Sequence, residues 1–367
     1  MKTKLKFALL FGFVLHLSSS IYPQQNLSDA KIRELIKHEV DNGRCPGIIV
    51  GMLDKNGKEI IAAGKTNIDN GKTPDGNTLY EIGSITKVFT SLLLEEMAEK
   101  RELSVKDPIS KFLPGNVKTP IKDGKEITLL DLSTQTSGLP RMPDNFAPKD
   151  WKNPFADYTP QKLYDYLSHY NLTRGIGEKY EYSNTGVGLL GYILSLKAGA
   201  DYETLLRDRI CKPLNMCSTV ITLTPELKKR LATGYDQNGK ATENWDFSAL
   251  AGAGAIKSCV NDMLIFAAAN LGMVKTNLAN AMETIQEPRH NTDIEDLYIG
   301  MGWHIWIKFD KKIIWHNGGT GGYRTFIGLD KGNQKAVVVL SNGSNNVDDI
   351  GLHLLDSRFA IAAIKKK

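Results

Sequence analysis

The sequence predicts an α+β fold in which one antiparallel sheet, flanked by helices, is assembled from both ends of the chain. Strand-like runs joined by short turns lie near the beginning and near the end of the 367 residues. The stretch between them reads as helices joined by long loops, and short turns favour antiparallel pairing. We therefore expect an α/β domain formed by residues 21–99 and 231–367, with an inserted, mostly helical domain at residues 100–230.

The first elements of the α/β domain are predicted to be a helix and a hairpin. Apolar residues spaced three and four apart indicate an amphipathic helix over Leu27–Asp41, with Ser28 as its N-cap. Strand-like runs follow at Gly47–Asp54 and Glu59–Gly64. The Asn56-Gly57 pair between these runs is a strong hairpin signal, because both residues tolerate the backbone angles of a tight turn.

The end of the chain reverses this order, with strands first and a helix last. Strand-like runs cover Met301–Phe309, Lys312–His316, Tyr323–Leu329 and Ala336–Ser341, and a closing helix is predicted over Val347–Ile364. We expect these strands to join the first hairpin in one sheet. Both terminal helices should then pack on the same face of that sheet.

The middle of the chain carries helical patterns and one long irregular stretch. Helices are predicted at Tyr158–Tyr170, Gly186–Lys197 and Tyr202–Ile210. The segment Pro140–Pro160 is rich in proline and other loop residues, so we expect it to run over the surface.

The beginning of the chain resembles an export signal. Three lysines precede the apolar run Phe7–Leu17 and then the small residues Ser18–Ser20, which is the order of a secretory signal peptide over residues 1–20. Cleavage near Ser20 would release a periplasmic or secreted protein. We expect no stable membrane insertion, because no second long apolar segment follows; an uncleaved anchor stays open as an alternative.

The overall composition excludes several classes of function. Apolar residues make up 41% and charged residues 24% of the chain, as in an ordinary globular protein. The net charge of +5 falls to +2 when the three lysines of the signal segment are removed, so no nucleic-acid partner is indicated. Cysteines and histidines show no metal-binding spacing, and we expect no metal and no cofactor. The cysteines are expected to be small buried residues, with any disulfide pairing left open; they are Cys45, Cys211, Cys217 and Cys259.

The first group of candidate functional residues lies at the start of a predicted core helix. Ser84 follows Gly83, and the apolar residues after it recur at helical spacing. Lys87 stands three residues on, so its ammonium can fold back by one helical turn toward the Ser84 hydroxyl. Taken alone the pattern is weak, because it also occurs at Ser28 and Lys31.

Two further groups of polar residues stand far along the chain. Tyr182 and Asn184 are two apart in a stretch that we expect to be extended, which would point both side chains to one side. The run from His316 to Gly322 contains four glycines after an apolar strand. Such a run indicates either a flexible connection or a sheet edge that a substrate approaches closely, with a backbone N–H directed at a carbonyl oxygen.

Taken together and in this order, Ser-x-x-Lys, Tyr-x-Asn and His-x-Gly resemble the serine β-lactamase and penicillin-binding-protein superfamily. The similarity is strongest to the class C β-lactamase branch with its related D-Ala-D-Ala peptidases and esterases. It extends from about Ser28 to the end of the chain and includes Leu129–Pro140 and Tyr182–Gly186. The resemblance implies a β-lactamase/transpeptidase-like fold, whose order of elements agrees with the one predicted above.

The resemblance also implies roles for the candidate residues. Ser84 would be the nucleophile that forms an acyl-enzyme, and Lys87 would stabilise its deprotonation. Tyr182 would act with Lys87 as general base and then as general acid toward the leaving group. Asn184 would hold the amide side chain of the substrate, and the N–H groups of Ser84 and Gly319 would form the oxyanion hole. Lysine and tyrosine both have ordinary pKa values near 10. We expect packing of the cation beside the phenol to lower the tyrosine pKa toward a useful range.

Position 316 departs from the family pattern. His316, Gly318 and Gly319 would form the substrate-binding edge, but most β-lactamases of this branch carry lysine where this chain has His316. A histidine is only partly charged near pH 7, so the partner of a substrate carboxylate is in doubt. Arg141 is one hypothesis for the missing cation. Trp151 is a weaker candidate for the border of the pocket.

These residues predict an exported serine hydrolase that acts on a small-molecule substrate through an acyl-serine intermediate. A class C-like β-lactamase is the first expectation. D-Ala-D-Ala carboxypeptidase or endopeptidase activity and carboxylesterase activity are the near alternatives. A penicillin-binding protein or sensor that releases its acyl group slowly is the third.

Overall fold

The computed structural model describes residues 28–363. The predicted signal peptide lies outside these residues. The described helices, in chain order, are α1 (Asp29–Asp41), α2 (Thr86–Glu99), α3 (Leu129–Ser133), α4 (Pro160–His169), α5 (Asn184–Ala198), α6 (Tyr202–Leu206), α7 (Lys212–Leu214), α8 (Pro225–Lys228), α9 (Val260–Asn270), α10 (Ala279–Ile285) and α11 (Asp348–Leu355).

The described strands, in chain order, are β1 (Gly47–Asp54), β2 (Gly57–Gly64), β3 (Leu79–Glu81), β4 (Ile121–Lys122), β5 (Lys125–Glu126), β6 (Lys257–Cys259), β7 (His290–Asn291), β8 (Leu297–Ile299), β9 (His304–Lys308), β10 (Lys311–Gly319), β11 (Arg324–Asp330) and β12 (Lys335–Ser341). Eight of them form one sheet in the order β2-β1-β12-β11-β10-β9-β8-β7. All of its neighbouring pairs are antiparallel, so strands from both ends of the chain meet at β1 and β12.

The α+β prediction is therefore confirmed, and the two terminal helices do pack on one face of the sheet. Side chains alternate along a strand. In β12, Val337 and Val339 join the core under α1 and α11, whereas Val338 and Leu340 join the larger core on the other face. This alternation fixes which face each helix layer covers.

The larger core contains α2, the helix that follows Ser84. Nearly every side chain of α2 is buried, including the polar Thr86, Lys87, Thr90 and Ser91. A helix whose side chains are buried on almost all sides lies in the interior of the protein. Ser84 and Lys87 are thereby held on a rigid element.

Residues 100–230 supply α3 to α8 and the β4–β5 ribbon, in agreement with a mostly helical middle. Helix α5 packs closely on residues Ala251–Ala253, a single helical turn. A Cβ on Gly191 would stand only 2.7 Å from the Gly252 Cα, so both positions need glycine for this contact. The contact brings the Ala253 carbonyl next to α2. The division into separate domains stays a prediction.

Several predicted boundaries are wrong. Strand β9 begins at His304 rather than Met301, because Gly302 takes a left-handed turn (φ +75°) just before it. Helix α11 ends at Leu355, since Asp356 is extended and its carboxylate accepts hydrogen bonds from Arg358. The short strands β7 and β8, of which β7 forms the edge of the sheet, were not predicted, because their few residues show no alternation.

Three further expectations need correction. Ser28 occupies the N-cap position of α1, but its side chain accepts no capping hydrogen bond. The predicted helix over Tyr202–Ile210 changes after Leu206 into a wider π-helical turn at Arg207–Cys211. Cys217 is exposed, whereas the other three cysteines are buried as expected, and all four are unpaired.

No helix within residues 28–363 has the length and apolar character needed to cross a bilayer.

Candidate active site

Ser84 lies in a tight turn that precedes α2. The turn spans Gly83–Ile85, and Gly83 adopts a left-handed conformation with φ +52°. A Cβ on Gly83 would stand 2.6 Å from the Gly319 nitrogen, so glycine is required for the end of β10 to lie against this turn. The contact brings two of the predicted segments together at half-buried Ser84.

Lys87 lies one helical turn after Ser84, as the spacing predicted, and its side chain is fully buried. Its Nζ is 3.0 Å from the Ser84 Oγ, 2.8 Å from the Asn184 Oδ1 and 2.7 Å from the Ala253 carbonyl oxygen. These three acceptors come from the turn before α2, from α5 and from the turn beside α5. One amine therefore links three segments that are far apart along the chain.

Burial, with a smaller contribution from Arg141, holds the pKa of Lys87 well below its ordinary value of 10.5. The same three contacts suit both protonation states of the amine. A neutral amine accepts the proton of Ser84 and donates to Asn184 and Ala253. An ammonium donates to all three. Proton transfer between Ser84 and Lys87 thus requires no rearrangement of neighbouring groups.

Tyr182 lies at the same point, immediately before α5. Its ring centroid is 4.8 Å from the Lys87 Nζ and 5.0 Å from the Arg141 guanidinium carbon. Burial raises the pKa of Tyr182 to about 12, although a hydrogen bond with Ser84 and the charge of Arg141 oppose the shift. The expectation of a lowered phenol pKa is therefore wrong, because desolvation outweighs the nearby cation. At neutral pH Tyr182 is a protonated phenol.

Asn184 reaches the site by a different geometry from the one predicted. It is the first residue of α5 rather than part of an extended stretch, and the Ser183 hydroxyl caps the helix by accepting from the Gly186 N–H at 2.8 Å. The Asn184 Oδ1 accepts from Lys87, while its Nδ2 donates, among the described residues, only to the Met142 sulfur at 3.5 Å. One amide hydrogen thus remains for another partner.

His316 lies beneath the site in β10 and is fully buried, without lining the cavity described below. Its Nδ1 donates to the Asn317 carbonyl oxygen at 2.6 Å, because a carbonyl can only accept. Its Nε2 has no hydrogen-bond partner among the described residues. The ring stacks on that of His304 at a centroid distance of 4.9 Å and lies 6.5 Å from the Tyr182 ring.

Burial, His304 and Lys87 together hold the pKa of His316 well below 6.5. The expectation of a partly charged histidine near pH 7 is therefore wrong, since His316 is neutral. His316 therefore supplies no cation for the substrate carboxylate that the resemblance implies.

A cavity of about 830 Å³ opens beside Ser84 and Tyr182. Strand β9 pairs with β10 only as far as Trp315, so the edge of β10 from His316 to Gly319 is open on that side. Asn317, Gly318 and Gly319 line the cavity there. The predicted approach of a substrate to a sheet edge thus has a physical basis, although β10 is an inner strand.

Charged residues of both signs line this cavity. The cations are Arg141, which is exposed, and Arg324, which is half-buried. The carboxylates are Asp293 and Asp348. Sequence reasoning found only Arg141. Nothing in the pattern marked Arg324 or Asp348, because an arginine after a glycine turn and an aspartate at a helix start are common on any surface.

Arg324 is held in place from one end of its guanidinium group. Its Nη1 donates to the carbonyl oxygens of Thr320 at 3.0 Å and Tyr323 at 2.9 Å. A Cβ on Gly319 would stand 2.7 Å from this Nη1, so the guanidinium lies against the Gly319 backbone. Its Nε and Nη2 make no hydrogen bond within residues 28–363. That pair of donors is one edge of the fork that matches a carboxylate.

Asp348 lies beside Arg324 at the start of α11. Its Oδ2 accepts from the Asn317 Nδ2 at 2.6 Å. Burial raises the pKa of Asp348 to about 6, against hydrogen bonds with Asn317 and Asn346. This carboxyl group therefore changes its charge in the physiological range next to a cavity cation.

The expectation that Trp151 borders the pocket is wrong. Trp151 is 72% exposed and does not line the cavity. No group of three or more potential ligands that could hold a metal ion occurs in the described part of the chain.

Comparison with known proteins identifies relatives over nearly the whole described chain. The Beta-lactamase family model matches residues 32–357. The D-alanyl-D-alanine-carboxypeptidase/endopeptidase AmpH of Escherichia coli (strain K12) is 27% identical over 345 residues, which cover 89% of this chain and 88% of AmpH.

Two solved structures are similar as well. A β-lactamase/D-alanine carboxypeptidase from Yersinia pestis has a TM-score of 0.75 and 28% identity, covering 86% of this chain and 94% of its own. A class C β-lactamase from Rhodobacter sphaeroides has a TM-score of 0.73 and 25% identity, covering 86% and 93%. The resemblance inferred from the three motifs is confirmed.

Proposed function

Since the chain belongs to the Beta-lactamase family and is a serine hydrolase, we propose that it cleaves D-alanyl peptides of the cell wall through an acyl group on Ser84. The observation that carries the mechanism is the contact between a buried, easily deprotonated Lys87 and the Ser84 hydroxyl at 3.0 Å. β-Lactams, which are cyclic amides with a comparable carboxylate, are the second candidate substrates.

In the first step the neutral Lys87 amine accepts the Ser84 proton as the Ser84 oxygen attacks the substrate carbonyl. Lys87 is the base because burial lowers its pKa, whereas burial raises that of Tyr182. The backbone N–H groups of Ser84 and Gly319 bind the oxyanion. The close packing of Gly83 on Gly319 supports this pairing. One such donor typically contributes about 3 kcal/mol to transition-state stabilisation.

In the second step the bond between carbonyl carbon and leaving nitrogen breaks. The protonated Tyr182 donates its proton to that nitrogen, and the Lys87 ammonium then returns a proton to the phenolate. The leaving amine thus carries the Tyr182 proton, and the Ser84 proton ends on Tyr182. Water then attacks the acyl carbonyl carbon and gives a proton to neutral Lys87. The bond between that carbon and the Ser84 Oγ breaks, Lys87 returns the proton to the Oγ, and the acyl product leaves as a carboxylic acid. General acid and base assistance of this kind contributes about a hundred- to ten thousandfold in rate.

Recognition of the substrate carboxylate falls to Arg324. Its Nε and Nη2 are unbonded at the cavity wall, and Arg141 adds a second, exposed cation. His316 is neutral and lies below the cavity, where it supports Tyr182 rather than the substrate. Asn184 offers its remaining amide hydrogen to the acyl side of the substrate, and Gly318 with Gly319 forms the backbone edge.

The cavity is large enough for a peptide substrate as well as for a β-lactam. A space of about 830 Å³ exceeds what a single departing D-alanine needs, so endopeptidase as well as carboxypeptidase activity is proposed. The cavity also has room for the fused ring of a β-lactam. How quickly water reaches the acyl group then decides between a β-lactamase and a slowly releasing penicillin-binding protein.

Turnover on a matched substrate panel tests the proposal. The purified chain is given a muropeptide that ends in D-Ala-D-Ala, a cross-linked muropeptide, a chromogenic cephalosporin and a neutral p-nitrophenyl ester. We expect release of D-alanine and cleavage of the cross-link, with both lost in Ser84→Ala. Fast cephalosporin turnover with no peptide cleavage would establish the second candidate. A long-lived penicillin adduct on Ser84 in intact-mass spectra would indicate slow release.

A further inference from the structure

A buried carboxyl group lies three residues before Ser84, and no step of the proposed mechanism uses it. It belongs to Glu81, the last residue of β3, whose side chain is only 3% exposed and does not line the cavity. Burial of a carboxylate is costly unless hydrogen bonds or opposite charges compensate for the lost water. The partners of Glu81 therefore show which parts of the site this group holds in place.

One oxygen of Glu81 holds the loop that carries Trp245. The Glu81 Oε1 accepts from the Trp245 N–H at 2.8 Å. The Trp245 carbonyl oxygen accepts from the Nζ of buried Lys257 at 3.5 Å, and Lys257 lies opposite Glu81 in the β3–β6 pair. Two buried side chains thus hold the Trp245 backbone from both sides, and Trp245 lines the cavity beside Ser84.

The other oxygen of Glu81 is available to Thr320, the residue after Gly319. Burial raises the pKa of Glu81, and the Thr320 side chain makes the largest opposing contribution. The Glu81 Oε2 and the Thr320 Oγ1 are both buried and have no partner at ordinary hydrogen-bond length within residues 28–363. Such contacts are often long in a site without substrate and shorten when the substrate binds. The Thr320 hydroxyl is therefore the donor that the free Glu81 oxygen can take.

The segment that follows Glu81 lies closely against the end of β10. Gly318 leaves no room for a Cβ beside the Ile82 carbonyl oxygen, and a Cβ on Gly83 would meet the Gly319 nitrogen at 2.6 Å. Backbones in such close contact move together, because neither has a flexible side chain that could absorb a shift. A displacement of Thr320 would therefore also displace the neighbouring Gly319 N–H.

We infer that Glu81 is a positioning residue for the acyl-transfer site. Its buried carboxylate holds the Trp245 backbone and the Thr320 side chain, which keeps the Gly319 N–H directed at the carbonyl oxygen of the substrate. The inference rests on the proposed roles of Ser84 as nucleophile and Gly319 as oxyanion donor. Glu81 acts through hydrogen bonds and does not contact the substrate, so its loss should lower kcat and leave KM nearly unchanged.

Two substitutions of Glu81 separate hydrogen bonding from the filling of space. Glu81→Met keeps the approximate length of the side chain but has no acceptor for the Trp245 N–H. Its kcat for the neutral p-nitrophenyl ester should fall by about 10- to 100-fold, as expected for a misplaced catalytic group. Glu81→Gln keeps an oxygen for the Trp245 N–H and has an amide that can donate to the Thr320 hydroxyl, so its kcat should stay within about threefold of the wild type.

Asp262→Leu is the matched control for a purely structural effect. Asp262 is also a buried carboxyl group whose pKa is raised by burial, and its Oδ2 accepts from the Ser218 N–H at 2.7 Å and from the Thr219 hydroxyl at 2.9 Å. It does not line the cavity. Asp262→Leu and Glu81→Met should both lower the melting temperature. The kcat per folded molecule, measured well below both melting temperatures, should fall only in Glu81→Met.

Thr320→Val tests the same contact if Glu81→Met does not fold. It removes only the hydroxyl, so kcat should fall about fivefold, the typical worth of one hydrogen bond. An unchanged kcat in folded Glu81→Met or in Thr320→Val would overturn the inference and leave the nucleophile intact, provided that Ser84→Ala abolishes turnover. An equal loss of kcat in Asp262→Leu, or in Glu81→Gln as in Glu81→Met, would also overturn it. If the ester is not hydrolysed in a Ser84-dependent way, the proposed function fails and the positioning role fails with it.

Discussion

The buried centre around Lys87 and the open cavity beside it differ in how far their ionisable groups are removed from water. In the centre, burial lowers the pKa of Lys87 and of His316 and raises that of Tyr182, so each group moves toward its neutral form. In the cavity, the side chains of Arg141 and Asp293 are exposed and lie within reach of water. The comparison teaches that full desolvation sets the chemistry of the centre, whereas exposed charges together with the partly buried Arg324 and Asp348 set recognition. Changes in the centre should therefore act strongly on kcat, and changes in the cavity more weakly on KM.

The largest expected effect comes from removing the buried amine. In Lys87→Met the side chain keeps its approximate length but loses its proton acceptor, so kcat should fall by about a hundred- to ten thousandfold. KM for an anionic substrate should change little, because Lys87 does not line the cavity. Steady-state kinetics with the muropeptide or the neutral ester measures both constants.

Lys31→Met is the control for this change. Lys31 follows Ser28 with the same spacing, but it lies exposed on α1, far along the chain from the other site segments. Its substitution should leave both constants unchanged. A Lys87→Met protein that keeps a tenth or more of the wild-type kcat would show that the buried amine is not the base.

A smaller effect should follow when a charge is forced into the centre. His316→Lys places an ammonium where the native ring has no exposure and where Lys87 already lies nearby. An uncompensated buried charge costs roughly 3 kcal/mol of unfolding free energy, so the melting temperature should fall by several degrees. Binding of anionic substrates should not improve, because position 316 lies below the cavity.

His38→Lys is the matched change at an exposed histidine, whose side chain is 69% accessible. It should leave the melting temperature unchanged. Tighter binding of an anionic substrate by His316→Lys at an unchanged melting temperature would mean that the new ammonium reaches the cavity. In that case the contrast between buried centre and open cavity does not hold at this position.

Sequence reasoning located the centre better than the cavity, for physical reasons. The spacing of Ser84 and Lys87 on a helix and the turn at Asn56-Gly57 are local properties, and the structure has both. The direction of the Tyr182 pKa shift depends on desolvation by distant segments, which no local pattern encodes. Arg324 becomes notable only because Gly319 lies against it and His316 is buried. Both facts arise from the pairing of strands, and neither can be derived from the residues around Arg324.

The smallest expected effect concerns the pH dependence of recognition in the cavity. Burial raises the pKa of Asp348 to about 6, and the groups that face it are Arg324, Asn317, Asn346 and Asp349. Below this pH Asp348 is protonated and neutral, so Arg324 attracts a substrate carboxylate without competition. Above it Asp348 is an anion beside Arg324, so KM for an anionic substrate should rise. Two unit charges about 4 Å apart interact by about 1 kcal/mol in bulk water and more strongly near a protein surface, so we expect a change of at least roughly fivefold between pH 5 and pH 7.

Asp348→Asn should abolish this rise, because an amide has no charge at either pH, and its KM should stay near the low-pH value of the wild type. A neutral ester should show no such dependence in either protein, since it has no carboxylate for Arg324 to attract. Asp293→Asn is the control within the same cavity, because Asp293 is exposed and pairs with Lys179 at 3.2 Å. KM measured at several pH values for both substrates shows whether Asp348 causes the rise. If Asp348→Asn keeps the wild-type rise in KM, another group controls recognition, and Asp348 does not distinguish the cavity from the buried centre.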